Sequence, residues 1–433
     1  MSETTAIDTA AARPIRRLRS IIGGSAGNLV EWYDWYVYSA FTLYFAGVFF
    51  PKGSQTAQLL SAAAVFAVGF LARPVGAWLM GLYADRAGRK AALTLSVAVM
   101  CAGSIVIALC PGYAVIGVAA PVILVLARLL QGLSLGGEYG ASATYLSEMA
   151  GAKRRGFWSS FQYVTLISGQ LLALAVLLIL QRFLTDAQLH DWGWRIPFAI
   201  GGVLAVSVFW LRRGLDETPS FDAVRGEERA KTMWLFVRHP RETLIVMGLT
   251  AGGTLAFYTY TTYMQKFLVN TSGFSKAAAS EITALALLVF MLLQPVVGAI
   301  SDRVGRRPVM IALGVLGVAA TWPIMTALAG TSSPFTAFAL IMAALIIVSG
   351  YTAVNAVVKA ELFPTGVRAL GVALPYALAN ALFGGTAEYV ALWFKSQGHE
   401  TWFYIYVTAM IGVSLLVYVF MRDTRKHSRI LED

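Results

Sequence analysis

Five ionisable side chains stand inside otherwise apolar stretches in the first half of the chain: Glu31, Asp34, Arg73, Arg128 and Glu138. Charge in such surroundings costs free energy and is kept where it is used. Carboxylates can carry protons, and arginine presents a planar fork of N–H donors that matches a carboxylate bidentately. His190, His239, His399 and His427 all lie near the ends of apolar runs or in connections. A proton crossing the apolar region therefore rides on a carboxylate. Glu31 and Asp34 are three residues apart and share one helix face. At the helical rise, Glu31 and Arg73 each lie about 15 Å from one end of their apolar runs, Asp34 about 20 Å in, and Arg128 about 16 Å in from the opposite end. The spacing predicts Glu31–Arg73 and Asp34–Arg128 pairs, with Glu138 paired nearby. Three acids against two bases leave one negative charge uncompensated, and such a buried carboxylate takes up a proton readily. Asp34, controlled by Arg128, is the expected proton carrier. Glu31 and Glu138 are the further candidates, and Arg73 and Arg128 are the expected anion ligands.

The elements that must position these groups follow from composition. Of 433 residues, 58% are hydrophobic and 13% charged, where a soluble domain carries about a quarter charged residues. Long charge-free runs alternate with short charged connections, as a chain in lipid requires. Backbone in lipid must bond internally, so the runs should be helices. Twelve spans are expected: 21–45, 58–83, 91–110, 117–147, 157–181, 195–213, 241–269, 276–301, 307–329, 334–360, 368–395 and 401–422. Basic residues 13–19 precede the first run, but Glu31 and Asp34 within it argue for a retained helix rather than a signal peptide. Of the 34 Lys and Arg, 26 fall on the side of the two tails, six on the other (Lys52, Arg182, Arg195, Lys266, Lys276 and Lys395) and two within spans. That bias predicts cytoplasmic termini. The net charge of +11 is spread over these connections rather than over one face, which argues against nucleic acid. The expected organisation is a tail (1–20), a six-helix bundle (21–213), a cytoplasmic linker (214–240), a second six-helix bundle (241–422) and a tail (423–433).

The halves repeat. Gly81, Asp85, Arg86, Gly88, Arg89 and Lys90 recur as Gly298, Asp302, Arg303, Gly305, Arg306 and Arg307, in the pattern G-x-x-x-D-R-x-G-R-[RK] at a shift of 217. Glu148 and Arg155 recur as Glu361 and Arg368 at a shift of 213. A parallel duplication of this kind gives two bundles related by an axis along the membrane normal. In each loop the aspartate can accept from N–H groups at a neighbouring helix start. Arg89 is expected to meet Glu148, and Arg155 to meet Asp85. With Asp302, Arg306, Glu361 and Arg368 these residues should latch the cytoplasmic side and release it when that side opens.

The G-x-x-x-D-R-x-G-R-[RK] loop resembles the signature loop of the major facilitator superfamily, and the resemblance covers the whole chain. Gly27-Asn28-Leu-Val-Glu31-Trp32-Tyr33-Asp34-Trp35-Tyr36 resembles the first-helix signature of its metabolite:proton symporters. Further stretches agree: Gln131 to Tyr145, Ser160 to Ile167, Gly169 to Leu174, Trp192 to Phe198, Phe257 to Lys266 and Asn380 to Leu392. The resemblance implies an all-α integral membrane fold of two pseudo-symmetric six-helix bundles in the inner membrane. It also implies proton-coupled import of a small dicarboxylate, 2-oxoglutarate foremost, by alternating access. Relatives in that group carry citrate, shikimate or betaines, and these are the competing substrates; a membrane substrate sensor is the competing class. The pairing of a helix-one acid with a helix-four arginine is likewise implied.

The second half offers mainly neutral groups, with Glu388 near an outer helix end and Lys359 near an inner one. Tyr258, Tyr263, Asn355 and Asn380, with Gln162 and Gln170 from the first half, are the expected neutral substrate contacts. Gly252-Gly253 either softens its helix or permits close packing. Arg195 reads as an interfacial anchor. No phosphate-binding loop, nucleophile–His–acid set or metal cluster appears, so neither an enzyme nor a cofactor is expected. The partners expected are the dicarboxylate, protons and lipid, for a monomer.

Overall fold

The computed structural model describes residues 29–87, 89–135, 138–213, 238–364 and 367–430. Of the expected site residues, Asp85, Arg89 and Glu138 have side chains outside the described residues, as does the whole linker segment 214–237. The described chain is helical throughout its spans. In the first half the columns are α1 (29–49), α2 (Gln55–Ala87), α3 (Arg89–Leu109), α4 (Ala119–Leu135 and Glu138–Met149), α5 (Arg155–Phe183) and α6 (Arg195–Arg213). In the second they are α7 (Pro240–Asn270), α8 (Lys276–Val304), α9 (Arg306–Gly330), α10 (Pro334–Leu362), α11 (Arg368–Ser396) and α12 (Glu400–Phe420). Eight of these columns are long and apolar enough to cross a membrane on composition alone.

Capping explains several boundaries. Ser275 accepts from the N–H of Ala278 at the start of α8, and Ser333 accepts from Thr336 N–H with Pro334 at the first position of α10. The α8–α9 turn needs Gly305, whose φ of 109° is open only to glycine at little cost. Arg195 lies at the end of α3, donating to the carbonyls of Ala108 (3.0 Å) and Cys110 (2.6 Å).

Within the first half α2 packs on α4 and α3 on α6; within the second α7 packs on α12 and α9 on α12. The halves meet where α5 faces α8 and where α2 and α4 face α11. Inside the protein lies 78% of the most apolar stretch of α7, against 33% of that of α12, so α7 is central and α12 peripheral. Trp78, Leu126, Leu292, Phe335 and Phe420 are exposed on the outside, the apolar girdle that lipid requires. Gly252 packs against the Met410–Ile411 backbone and Gly253 against the Tyr351 ring, which is the close-packing reading of that pair. The irregularity in α7 comes one turn later, as a π-turn over Thr259–Tyr263; α11 carries another over Asn380–Gly384.

Candidate functional site

α1, α2 and α4 bring Asp34, Arg73 and Arg128 into one buried cluster, with 1%, 5% and 0% of each exposed. The Arg73 guanidinium carbon stands 4.0 Å from the centre of the Trp35 ring, and that of Arg128 stands 3.9 Å from it. Phe70 adds a second face to Arg73 at 4.0 Å and Tyr38 one to Arg128 at 4.6 Å. Such stacking is worth up to about 2 kcal/mol for a desolvated pair. It holds the arginines in place without using their N–H groups. Nε and Nη2 of both arginines are buried and have no hydrogen-bond partner among the described residues. Buried donors are ordinarily satisfied, so four charged N–H-bearing atoms at the centre of the protein are equipped to receive an anion.

The expected direct Asp34–Arg128 pair is replaced by a relay. Arg128 Nη1 donates to Gln131 Oε1 at 2.7 Å, and Gln131 Nε2 donates to Asp34 Oδ2 at 2.7 Å. The chemistry fixes which way this amide points, because a guanidinium only donates and a carboxylate only accepts. Ser104 Oγ donates to Asp34 Oδ1 and accepts from Gln131 Nε2 at 2.9 Å. α6 closes the pocket at Gly201, where a Cβ would collide with Asp34 Oδ1. Gln131, three residues after Arg128 on α4, is the functional group that charge counting misses. Glu31 is buried on the same face of α1.

The neutral candidates divide. The Tyr258 hydroxyl is an electrostatic neighbour of Arg73, Tyr36 and Asn380, and Asn380 Oδ1 accepts from Thr254 at 2.5 Å while its Nδ2 has no described partner. Gln162 is tied to Ser142 through Oε1 at 2.7 Å, with Nε2 unpartnered among the described residues, and Gln170 Oε1 is likewise unpartnered. Tyr263 instead packs on Phe267 and Phe403 within the second half. Asn355 is fully engaged. Its Nδ2 donates to the carbonyls of Tyr351 and Thr352, and its Oδ1 accepts from Tyr139 at 2.7 Å and Lys359 at 2.9 Å.

Two lysines counted as connection charges are buried. Lys266 is 0% exposed on α7. Its Nζ binds Glu388 of α11 at 2.7 Å and reaches across the halves to Ser39 of α1 at 2.6 Å. Lys359 is also 0% exposed, on α10. The expectation that Glu388 and Lys359 are the charges inside the second half is thereby extended by Lys266. Each lysine lies near the end of an apolar run, where sequence alone cannot separate a loop charge from a buried one.

At the end carrying the repeated loops, two ion pairs cross between the halves. Arg368 of α11 pairs with Glu148 of α4, and Arg155 of α5 with Glu361 of α10 at 3.7 Å. The expected Arg155–Asp85 and Arg89–Glu148 pairs involve side chains outside the described residues, and among the described residues Arg155 pairs with Glu361. The two cross-pairs are related by the same shift of 213 that relates the sequences. Arg306 binds Asp302 at 2.7 Å and Glu361 at 3.5 Å. Asp302 accepts from the N–H groups of Gly156 and Phe157 at 2.8 and 2.9 Å, at the start of α5, the helix-terminus contact foreseen for these aspartates. Gly156 and Gly298 lie too close for a Cβ on either. Residues 423–430, foreseen as tail, fold under this cluster: Thr424 donates to Glu361 at 2.6 Å and the Arg429 carbonyl accepts from Arg368 at 2.9 Å. At the opposite end the halves also touch. Lys276 of α8 reaches Asp186 at 3.1 Å and His190 at 2.6 Å, and Asn270 meets Thr56 at 3.3 Å. Both ends are therefore bridged, with the arginines between them.

A twelve-helix pair of bundles with charge at its centre is the arrangement of a carrier, and the comparisons agree. Residues 21–240 match the sugar (and other) transporter family and residues 255–432 the Major Facilitator Superfamily. The chain belongs to the major facilitator superfamily and is a multi-pass membrane transporter, not an enzyme. It is 56% identical to the alpha-ketoglutarate permease of Escherichia coli (strain K12), over 96% of each chain. It is 33% identical to the citrate-proton symporter of Klebsiella pneumoniae, over 94% of this chain and 93% of that one. Its fold matches the crystal structure of D-xylose-proton symporter with a TM-score of 0.74 at 21% identity, over 93% and 97% of the two chains.

Proposed function

We propose that this chain is a proton-coupled symporter of the inner membrane that imports a small dicarboxylate, 2-oxoglutarate, by alternating access. The observation that carries the reading is the pair of buried guanidiniums, Arg73 and Arg128, stacked on Trp35 with N–H donors to spare. The near-full-length similarity to alpha-ketoglutarate permease supports the choice of substrate.

Coupling follows from the relay. While Asp34 is ionised, Gln131 is drawn to it and holds Arg128 through its carbonyl. A proton on Asp34 removes the charge that orients Gln131, and Arg128 is released to bind a substrate carboxylate. Proton and dianion thereby favour each other's binding, and the effect is reciprocal. Arg73 contributes to the same anion, Glu31 and Glu138 buffer the proton pathway, and Tyr258, Asn380, Gln162 and Gln170 contact the neutral part of the substrate. The Arg368–Glu148 and Arg155–Glu361 pairs, with Asp302 and Arg306, hold the cytoplasmic side closed and part when it opens. The chain works as a monomer in lipid, in two bundles at 21–213 and 241–422, with both termini cytoplasmic.

Counterflow of labelled 2-oxoglutarate in proteoliposomes, competed by succinate, citrate, shikimate and betaine, tests the substrate. The expected result is saturable counterflow blocked by close dicarboxylates. Counterflow displaced by citrate or betaine but not by succinate would overturn the assignment and keep the carrier.

A further inference from the structure

Lys359 sits wholly inside the protein on α10. Its Nζ bonds only neutral groups among the described residues: Asn355 Oδ1 at 2.9 Å and Tyr139 Oη at 3.5 Å. Around it stand three tyrosine rings, Tyr376 at 4.0 Å, Tyr139 at 5.3 Å and Tyr351 at 5.7 Å. The nearby described carboxylates are bound elsewhere. Glu361 holds Arg155, Arg306 and Thr424; Glu148 holds Arg368; Asp302 holds Arg306 and the start of α5. Aromatic faces offset part of the cost of a buried ammonium, but they do not neutralise it.

The place is as telling as the charge. Tyr139 of α4 stacks on Tyr376 of α11 at 3.7 Å, so Lys359 stands at a seam between the halves. Tyr376 is also an electrostatic neighbour of Arg73 and Tyr258. Arg73 and Lys359 therefore share one tyrosine neighbour, one cation from each half.

We propose that Lys359 is the second half's ligand for the substrate. One carboxylate rests on Arg73 and Arg128 and the other on Lys359, so the dianion itself joins the two bundles. This rests on the reading of the chain as a dicarboxylate carrier and adds the origin of its selectivity. A monocarboxylate satisfies one half and leaves Lys359 without an anion, so it fails to draw the halves together. Asn355 and Tyr139 hold the ammonium in position until the anion arrives.

The test compares binding of 2-oxoglutarate with that of 2-oxopentanoate, which has the same five-carbon chain with a methyl in place of the distal carboxylate. In the unmodified protein 2-oxoglutarate binds at least about 30-fold more tightly, the scale of a desolvated charge pair. In Lys359→Gln, or in Lys359→Met should the first fail to insert, its affinity falls to that of 2-oxopentanoate, whose own affinity stays within about threefold. Lys359→Arg retains the preference. Equal weakening of both ligands would mark Lys359 as structural, and an intact preference in the neutral variants would exclude it from the site; either result overturns the proposal. An unmodified protein that binds neither ligand would instead strike the carrier reading on which the proposal stands.

Discussion

In the first half a carboxylate, an amide and a guanidinium form a chain, Asp34–Gln131–Arg128, that ends on N–H groups with no described protein acceptor. In the second half Lys266 and Glu388 close on each other at 2.7 Å. Both clusters are buried, and the second reaches across the halves through Lys266 and Ser39. They differ in what they leave over. The Lys266–Glu388 pair neutralises itself and adds only a neutral contact to Ser39. The first-half cluster keeps two cations with donors free and a carboxylate held by a serine and an amide. A self-satisfied pair serves closure, because it loses its partner only if the helices separate. An unsatisfied one serves binding and release, because its partner arrives from outside. The burial of charge is common to both; the distribution of unpaired donors separates site from structure.

The largest effect on transport that sharpens this contrast is expected at Arg128. Arg128→Lys keeps the charge but loses the planar fork and the contact to Gln131. Uptake should fall at least about 30-fold, equivalent to about 2 kcal/mol, with protein level and melting little changed. Near-normal uptake would mean that the donors of Arg128 are not used. Lys266→Met should behave in the opposite manner. It leaves Glu388 buried without its partner and destabilises the protein by about 3–5 kcal/mol, read as a fall in melting temperature in detergent. The double change Lys266→Met with Glu388→Gln should recover most of that loss. If the double variant melts like the single, the pair is not self-contained and the contrast fails.

The smallest effect is expected at the end opposite the repeated loops. His190 Nδ1 is 2.8 Å from the Tyr44 carbonyl, and Nε2 faces the Lys276 ammonium at 2.6 Å. Partial burial, followed by the Lys276 charge, lowers its pKa from the ordinary 6.5, against a smaller opposing pull from Asp186. The contact requires the neutral ring. Its contribution to closure is thus fully present above pH 6.5 and weakens as pH falls below it. Accessibility of a cysteine placed at Thr56 to an impermeant thiol reagent should rise severalfold between pH 7.5 and 5.5, and His190→Gln should flatten the rise. A rise of the same size in His190→Gln would assign it to another group.

Much of the fold was legible in the sequence because lipid imposes it: long apolar runs, charged connections and a duplicated loop. Asp34, Arg73 and Arg128 were legible for the same reason, as charges where charge is costly. Gln131 was not, since a neutral amide in an apolar run carries no such signal. Only its position three residues after Arg128, on the same helix face, pointed to a shared partner. Lys266 counts as a connection charge, and Lys359 as a helix-end one, because each stands near the end of an apolar run. The π-turn at Thr259–Tyr263 lies one turn before Lys266, and that local winding is not written in hydropathy. The repeated acids and arginines are legible by their spacing, but the pairs that cross between the halves are not. Arg155–Glu361 and Arg368–Glu148 are exchanges between halves, and a linear repeat does not say whether its charges pair within a unit or across two.

The most direct measurement of the central claim is accumulation of labelled 2-oxoglutarate in proteoliposomes with and without an inward proton gradient, for the unmodified chain and for Asp34→Asn. The account predicts gradient-driven accumulation above the outside concentration in the unmodified chain. In Asp34→Asn it predicts none, with exchange of internal for external 2-oxoglutarate retained. Gradient-driven accumulation that survives in Asp34→Asn would contradict the relay as the coupling element.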